Sequence, residues 1–318
     1  MTRRYLVTSD WNWRNQVVLL MANIMEVDPA AYIYLATSSD DLESYVRDKF
    51  GKSCIETMHI EYRDFEFHAD VPIIYGDPNP LVMRILAIDE LAARGVDKVL
   101  YLDADIVLRP SLLDIWNVDL QGRTIGAVRD IGPASNSMYA ADSAYMNVYK
   151  DPFATFNSGL MLVDLEQVRR KYPEGLTPDR YGFKEFPLPD QEYLFRKLKE
   201  DVTLLSSRYN YFGDPRSMAA NHINYSLLML FKAVKGDVSV IHFAGGLKPW
   251  SKLKVPLHIE AVAHRVISMP YFMYRDKCHQ YAELLEPEFL SAVDEFYLKV
   301  GVISHKCLDC ILEAKKEA

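Results

Sequence analysis

Apolar residues along the chain recur with two different periods, which alternate from the N-terminus to about residue 250. Short apolar runs predict strands at 5–8, 32–36, 71–75, 98–102, 124–129, 160–163 and 238–241. Segments with apolar residues every three or four positions predict helices at 16–25, 40–50, 80–94 and 165–172, and a further helix from Pro189. Strands that alternate with helices are typical of an α/β fold with a largely parallel central sheet flanked by helices.

The pattern becomes helical beyond Trp250. Phe289, Val293, Phe296 and Val300 repeat at helix spacing, which predicts an apolar helix face packed onto the body. We therefore expect one domain over 1–250, with a first half 1–120 and a second half 121–250. A mainly helical C-terminal extension follows over 251–318.

Charge and composition argue against several classes of protein. The 318 residues carry a formal net charge of -8, whereas general nucleic-acid binders present a basic face. No window approaches the ~18 apolar residues of a transmembrane helix, and the first residues do not resemble a signal peptide, so we expect a cytoplasmic protein. The pair Cys307 and Cys310 lacks the further ligands of a zinc site, and we expect it to be a reduced pair near a helical tail.

Two aspartates follow a predicted buried strand: Asp103 and Asp105, with Ala104 between them. His242 follows another predicted strand, and open parallel sheets bind ligands at the carboxyl ends of their strands. Two carboxylates and an imidazole suit Mn²⁺ or Mg²⁺ on a diphosphate better than Zn²⁺, since thiolates are absent. An isolated Asp-x-Asp triplet is more often a solvated turn, but the apolar strand before it and the histidine favour a metal site.

Other polar residues suit contacts with an anion or a sugar, and each has a structural alternative. Lys248 follows two glycines after the last predicted strand and is placed to contact phosphate oxygens. Arg84 lies beside the apolar face of its helix, where it forms either a surface ion pair or a contact with a buried anion. Asn157-Ser158 suits sugar hydroxyls or a simple turn. Asp190-Gln191 suits a polyhydroxyl ligand or an ordinary helix N-terminus.

Four segments, taken together, resemble a known family: VLYLDADIVL, FNSG, PDQ and HFAGGLKPW. In this order and at these separations they are similar to family 8 glycosyltransferases, which include glycogenin, galactinol synthases and bacterial lipooligosaccharide galactosyltransferases. The resemblance extends from about Tyr5 to Trp250. It implies a GT-A fold, which is Rossmann-like with a mixed, mostly parallel sheet. The half 1–120 would bind the nucleotide and the half 121–250 the donor sugar and acceptor.

The resemblance also implies a UDP-hexose donor, Mn²⁺, and transfer with retention of the anomeric configuration. It assigns the metal ligands to Asp103, Asp105 and His242. The other donor contacts that it implies are Thr8, Asp10 and Asn12 at the uridine, Ala104 between the aspartates, Gly245 and Lys248 at the diphosphate, and Arg84, Asp130, Asn157, Ser158, Asp190 and Gln191 around the sugar. Two stretches depart from the family pattern: Trp11-Asn12-Trp13 near the uracil, and 132–151, where such enzymes shape the acceptor pocket.

We therefore expect a retaining hexosyltransferase that uses UDP-glucose or UDP-galactose, with acceptor attack from the face that UDP leaves. The amide oxygen of Gln191 is expected to stabilise the positive charge of the sugar, and Asp190 to bond sugar hydroxyls. The sequence leaves open the donor sugar, a homodimer, and the acceptor: a saccharide, a polyol, a glycoprotein or one of the chain's own tyrosines.

Two alternatives remain. A sugar nucleotidyltransferase would carry a loop rich in glycine and in lysine or arginine after the first strand. This chain has TSDWNWRNQ at that position, which argues against the alternative. A catalytically weak or non-catalytic UDP-sugar-binding protein would keep the fold and release little or no UDP.

Overall fold

The structure is a computed structural model that describes residues 2–51, 54–61, 63–69, 78–130, 156–186, 189–198, 200–211, 237–244, 248–251 and 270–299. The strands of its central sheet are β1 (Arg3–Thr8), β2 (Ala31–Thr37), β3 (Ile55–His59), β4 (Lys98–Leu102), β6 (Ile125–Arg129), β7 (Phe156–Asp164) and β8 (Val202–Leu205). A second sheet consists of β5 (Ile106–Leu108) and β9 (Val240–His242).

The direction of β7 decides which residues meet at the edge of the central sheet. The strand order is β3-β2-β1-β4-β7-β6-β8. Neighbouring strands are parallel except β7, which runs antiparallel to both β4 and β6. β7 therefore begins at the edge where the other strands end. This arrangement confirms the predicted mixed, mostly parallel sheet.

Helices cover both faces of this sheet. They are α1 (Arg14–Val27), α2 (Asp40–Phe50), α3 (Asn79–Ala93), α4 (Leu165–Lys171), α5 (Pro189–Leu198), α6 (Pro270–Gln280) and α7 (287–299). Local signals set several of the helix starts. The side chain of Ser39 caps α2 and that of Asp164 caps α4. Pro80 lies in the first turn of α3, where its missing N–H leaves no hydrogen bond unmade.

Two apolar clusters form the core, one on each face of the sheet. Successive residues of a strand point to opposite faces. Tyr5 of β1 accordingly packs in the cluster that contains Leu20 of α1, whereas Leu6 packs in the cluster that contains Ile88 of α3. The inner strands of the sheet are therefore buried on both sides, which explains their nearly continuous apolar runs.

The C-terminal extension is helical in its described part and packs on the body. Val293 and Phe296 of α7 are buried, and the ring of Phe289 lies 6.0 Å from that of Trp250. An ion pair of 2.7 Å joins Arg14 of α1 to Glu286, directly before α7. The last residue of the predicted face, Val300, and the pair Cys307 and Cys310 lie outside the described residues. None of the described helices combines the length and the apolar character needed to cross a membrane.

Several predicted boundaries differ from the structure. β7 begins at Phe156, so the FNSG segment is part of the strand and does not precede it. The short strands β3, β5 and β8 were not predicted, because each has few residues and two of them are only partly buried. The predicted strand at 71–75 lies outside the described residues.

Candidate functional site

The two aspartates of the acidic triplet lie where the chain passes from the central sheet to the second sheet. Asp103 directly follows β4, and its backbone N–H donates to Gly159 O on β7 at 2.8 Å. Asp105 directly precedes β5, and its carbonyl accepts from Phe243 N–H at 2.9 Å. Ala104 is buried in the core between them. Backbone hydrogen bonds therefore fix both ends of the triplet.

His242 reaches the aspartates from the second sheet and not from the central one. It is the last residue of β9, and antiparallel pairing with β5 places it opposite Ile106. The prediction that it follows a strand of the parallel sheet is wrong, because β9 pairs only with β5 among the described strands. The same pairing brings one ligand atom each of Asp103, Asp105 and His242 within 4.8 Å of one another. His242 Nε2 lies 3.1 Å from Asp105 Oδ1 and 3.7 Å from Asp103 Oδ2.

Lys248 places a partly buried positive charge beside Asp105. Its ammonium forms an ion pair with Asp105 and donates to Phe243 O at 2.8 Å. Burial raises the pKa of Asp105, but the positive charge of Lys248, together with the neighbouring His242, outweighs burial and holds that pKa well below its usual range. Asp105 is therefore an ionised carboxylate. A contact between Lys248 and a diphosphate stays a prediction.

Arg84 on α3 links the aspartates to the residues expected around the donor sugar. Its guanidinium lies 3.1 Å from Asp103 Oδ1 and 3.2 Å from Asp190 Oδ2, and it donates to Ser158 O and Oγ, both at 3.0 Å. The residue is 6% exposed. Burial lowers the pKa of Arg84, but the carboxylates around it, Asp103 foremost, raise it above its ordinary value. Arg84 is therefore not a surface residue but forms ion pairs with the protein's own carboxylates, and its contact with a ligand anion stays a prediction.

Tyr101 supports Asp103 from within the sheet. Its hydroxyl donates to Asp103 Oδ1 at 2.6 Å and accepts from Thr8 Oγ1 at 3.2 Å. Its ring lies under the Arg84 guanidinium, 4.8 Å from centroid to Cζ. Burial raises the pKa of Tyr101 well above its ordinary value, so the hydroxyl stays protonated and remains a donor. The orientation of Asp103 is thus fixed by an arginine and a tyrosine together.

The residues expected at the donor sugar form one buried hydrogen-bonded group. Asp190 Oδ2 accepts from Ser158 Oγ at 2.8 Å. Gln191 Oε1 accepts from Ser158 N–H at 3.2 Å and from Asn157 Nδ2 at 3.4 Å, while Gln191 Nε2 donates to Asp130 Oδ2 at 2.6 Å. Asp130 follows β6 and Asn157 lies at the start of β7, which meet at the same edge of the sheet. The start of α5 therefore packs against this edge.

Known proteins identify the family. The sequence profile described as glycosyl transferase family 8 matches residues 83–254, more than half of the chain. This chain belongs to glycosyltransferase family 8. It is 24% identical over 176 residues to general stress protein A of Bacillus subtilis (strain 168), covering 53% of this chain and 58% of that protein. It is 27% identical over 169 residues to a lipopolysaccharide 1,2-glucosyltransferase of Escherichia coli (strain K12), covering 51% and 47%. The chain thus spans about half the length of these curated relatives.

The fold agrees with the family. The galactosyltransferase LgtC, solved in complex with donor and acceptor sugar analogs, superposes with a TM-score of 0.62 at 18% identity, covering 87% of this chain and 95% of LgtC. At this level of identity the likeness concerns the fold alone. It confirms the GT-A fold that the family 8 resemblance implied.

The residues that the family 8 pattern assigns to the uridine lie at the end of β1, where Thr8 is the last residue, and in the loop that follows. Asp10 accepts from Asn12 N–H at 2.8 Å and caps the short turn Trp11–Trp13. Trp11 is 37% exposed, with the guanidinium of Arg14 4.6 Å from its ring centroid. Among the described residues, hydrogen bonds connect Thr8 to Asp103 through Tyr101, whereas Asp10 accepts from Asn12 N–H. Gly245 lies outside the described residues.

Three residues of the site were not predicted from the sequence. Tyr101 lies two residues before Asp103, and the period of two in a strand could have placed both on one face. Gly159 is part of the FNSG segment, and a Cβ there would collide with Asp103 and His242. Asn210 is fully buried and bonds to His242, but nothing in its neighbourhood of the sequence indicates this contact.

Proposed function

We propose that this family 8 protein transfers glucose or galactose from a UDP-sugar to an acceptor hydroxyl, with retention of configuration and with Mn²⁺ or Mg²⁺ as the metal. The observation that carries the proposal is the convergence of Asp103, Asp105 and His242 within 4.8 Å. Arg84 connects this group directly to Asp190 and thereby to the residues expected at the sugar.

The residues present fit such a metal. Two carboxylates and one imidazole form the oxygen-rich donor set that Mn²⁺ and Mg²⁺ accept, and no cysteine lies among them. Asp105 is ionised, and the missing side chain of Gly159 leaves room beside Asp103 and His242. A bound metal would neutralise the negative charge that develops on the departing diphosphate.

The chain's own residues supply the remaining electrostatics. Lys248 is close enough to Asp105 to offer its ammonium to phosphate oxygens next to the metal ligands. Asp190 is held by Arg84 and Ser158, which supports a role in orienting the sugar through hydrogen bonds, because an acceptor already engaged by two donors is a weaker nucleophile.

Gln191 is the residue that we assign to the anomeric centre. Its amide is fixed by Asp130 on one side and by the Ser158 N–H on the other. A neutral amide oxygen stabilises positive charge and forms no stable covalent bond to the sugar. The assignment therefore favours attack by the acceptor on the face that UDP leaves. We infer that the half 1–120 carries the nucleotide and the half 121–250 the sugar and the acceptor, which would be a saccharide, a polyol or a glycoprotein.

The test is the release of UDP from purified protein. Incubation with UDP-glucose or UDP-galactose should release UDP with Mn²⁺ and not with EDTA, and addition of the correct acceptor should accelerate release. Asp105→Asn should reduce Mn²⁺-dependent release by at least about a hundredfold, in the range of ~3 kcal/mol of lost transition-state stabilisation. Binding of UDP-sugar without any release, across a panel of acceptors, would show a non-catalytic binding protein and overturn the proposal.

A further inference from the structure

A row of side-chain amides connects Gln191 to His242, and two backbone N–H groups fix its polarity. Gly159 N–H donates to Asn157 Oδ1 at 3.0 Å, and Ser158 N–H donates to Gln191 Oε1 at 3.2 Å. A backbone N–H can only donate, so the amide oxygens of Asn157 and Gln191 must face them. The orientation of both amides is therefore determined by the strand β7.

The polarity continues from Asn157 to the imidazole. Asn157 Oδ1 lies 2.9 Å from the amide of Asn210, which must present its Nδ2 because an oxygen there would face another oxygen. The remaining atom, Asn210 Oδ1, lies 2.9 Å from His242 Nδ1. His242 Nδ1 must then carry a hydrogen and donate. Nε2 is the nitrogen that faces Asp105 and Asp103.

We propose that Asn210 is a positioning residue of the metal centre, which fixes the ring and the tautomer of His242 so that Nε2 is presented to the metal. This inference rests on the proposed function, because it requires a metal held by Asp103, Asp105 and His242. Asn210 is fully buried and His242 is 3% exposed, so water does not replace the amide easily. Metal-binding histidines depend on such a partner at the second nitrogen for orientation and basicity.

An asparagine meets two requirements at this position. It accepts from His242 with its oxygen and donates to Asn157 with its nitrogen, which a carboxylate does not do. It also adds no charge beside two carboxylates that already lie close together. Of these two hydrogen bonds, the metal centre needs only the one that the Asn210 oxygen accepts from His242. An aspartate should therefore replace Asn210 for metal binding, whereas side chains without an acceptor should not.

The experiment is a titration of the full chain with Mn²⁺ alone, in which the unbound ion is followed by electron paramagnetic resonance. Asn210→Ala and Asn210→Leu should raise the Mn²⁺ dissociation constant about 10- to 100-fold, as loss of the outer partner of a metal-bound histidine does. Asn210→Leu keeps the branched shape of the side chain without its polar atoms and provides the result if the alanine variant fails to fold. Asn210→Asp should bind Mn²⁺ within a few-fold of wild type.

A matched control is Asn23→Ala. Asn23 is also a buried asparagine, and its oxygen accepts from Leu108 N–H at 2.6 Å on β5, the strand that pairs with β9. The control should lower the melting temperature and leave the Mn²⁺ affinity unchanged. Wild-type affinity in the Asn210→Leu variant, or equal losses in the leucine and aspartate variants, would overturn the role of Asn210. If the wild-type chain binds no Mn²⁺, the metal centre of the proposed function fails, and the positioning role fails with it.

Discussion

Replacement of Gly159 by alanine tests how tightly the candidate metal ligands are packed. A Cβ at position 159 would lie 2.6 Å from Asp103 Oδ2 and 3.0 Å from Asn157 Oδ1, and closer still to His242 Cε1. Ordinary van der Waals contact begins at 3.4 Å, so the neighbours would have to withdraw. They have little freedom to do so, because Asp103 is held by Arg84 and His242 belongs to β9.

Two effects of different size follow from this collision. Overpacking of a filled interior costs about 1–3 kcal/mol, and each kcal/mol lowers the melting temperature by about 2–4 °C in a domain of more than 150 residues. Metal–ligand distances tolerate only about ±0.2 Å, which is much less than the shift that Asp103 and His242 need. We therefore expect Mn²⁺ affinity to fall at least about tenfold, or ~1.4 kcal/mol.

The assay compares Mn²⁺ titration with metal-free thermal unfolding for Gly159→Ala and for a matched control, Gly126→Ala. In β6, the new Cβ at Gly126 would lie 2.7 Å from Leu120 Cδ2 and 3.0 Å from Leu205 Cδ2, so it strains the core without touching a metal ligand. The control should lower the melting temperature and keep the Mn²⁺ affinity. Wild-type Mn²⁺ affinity in Gly159→Ala would refute the placement of Asp103 and His242 against this glycine.

Three further changes have defined outcomes. Arg84→Met leaves the buried Asp190 without its counter-charge, so we expect a loss of about 3–5 kcal/mol in stability and no UDP release, and an unchanged urea midpoint would contradict the buried ion pair. Gln191→Ala should lower the rate of UDP release while UDP affinity, measured by calorimetry, stays nearly intact; equal losses of both would make Gln191 a structural residue. Burial raises the pKa of Glu26, but hydrogen bonds from Lys277 and its neighbours outweigh burial and lower that pKa to about 2. Because this is below the ordinary value of 4.5, the contribution is present above about pH 4.5 and is lost as the pH falls towards 2. Glu26→Gln should flatten the stability–pH curve in this window by on the order of 1 kcal/mol, since the partly exposed pair is screened by solvent, and identical curves in urea titrations would exclude the effect.

The sequence predicts the interior of the fold well and its margins poorly. β1, β2 and β4 are buried on both faces, so their residues form continuous apolar runs that are visible without a structure. β3 and β8 lie at the two ends of the sheet and are only partly buried, so their polar residues hide the pattern. β5 has only three residues, and only its pairing with β9 identifies it as a strand.

The candidate site divides in the same way. Asp103 and Asp105 can be identified from the sequence because Asp103 directly follows an apolar strand and Asp105 lies two residues further on. The motifs around His242, Asn157 and Gln191 carry the family resemblance. Asn210 makes its two contacts with residues 53 and 32 positions away in sequence. The spacing of apolar residues within a helix or strand does not indicate contacts between residues so far apart in sequence, so only the structure shows them.

The register between β4 and β7 joins the candidate metal ligands to the residues that we propose at the donor sugar. Leu102 pairs with Leu160, so the next residue along β4 meets the preceding residue of β7, and Asp103 N–H donates to Gly159 O. A slip of one residue would place a side chain against the candidate metal ligands and would turn Ser158 away from Arg84, because successive strand residues point to opposite faces. Antiparallel pairing is necessary as well, since a parallel β7 would begin at the opposite edge of the sheet. The acidic triplet therefore lies beside the residues of the proposed sugar-nucleotide site only because β7 runs antiparallel to its neighbours.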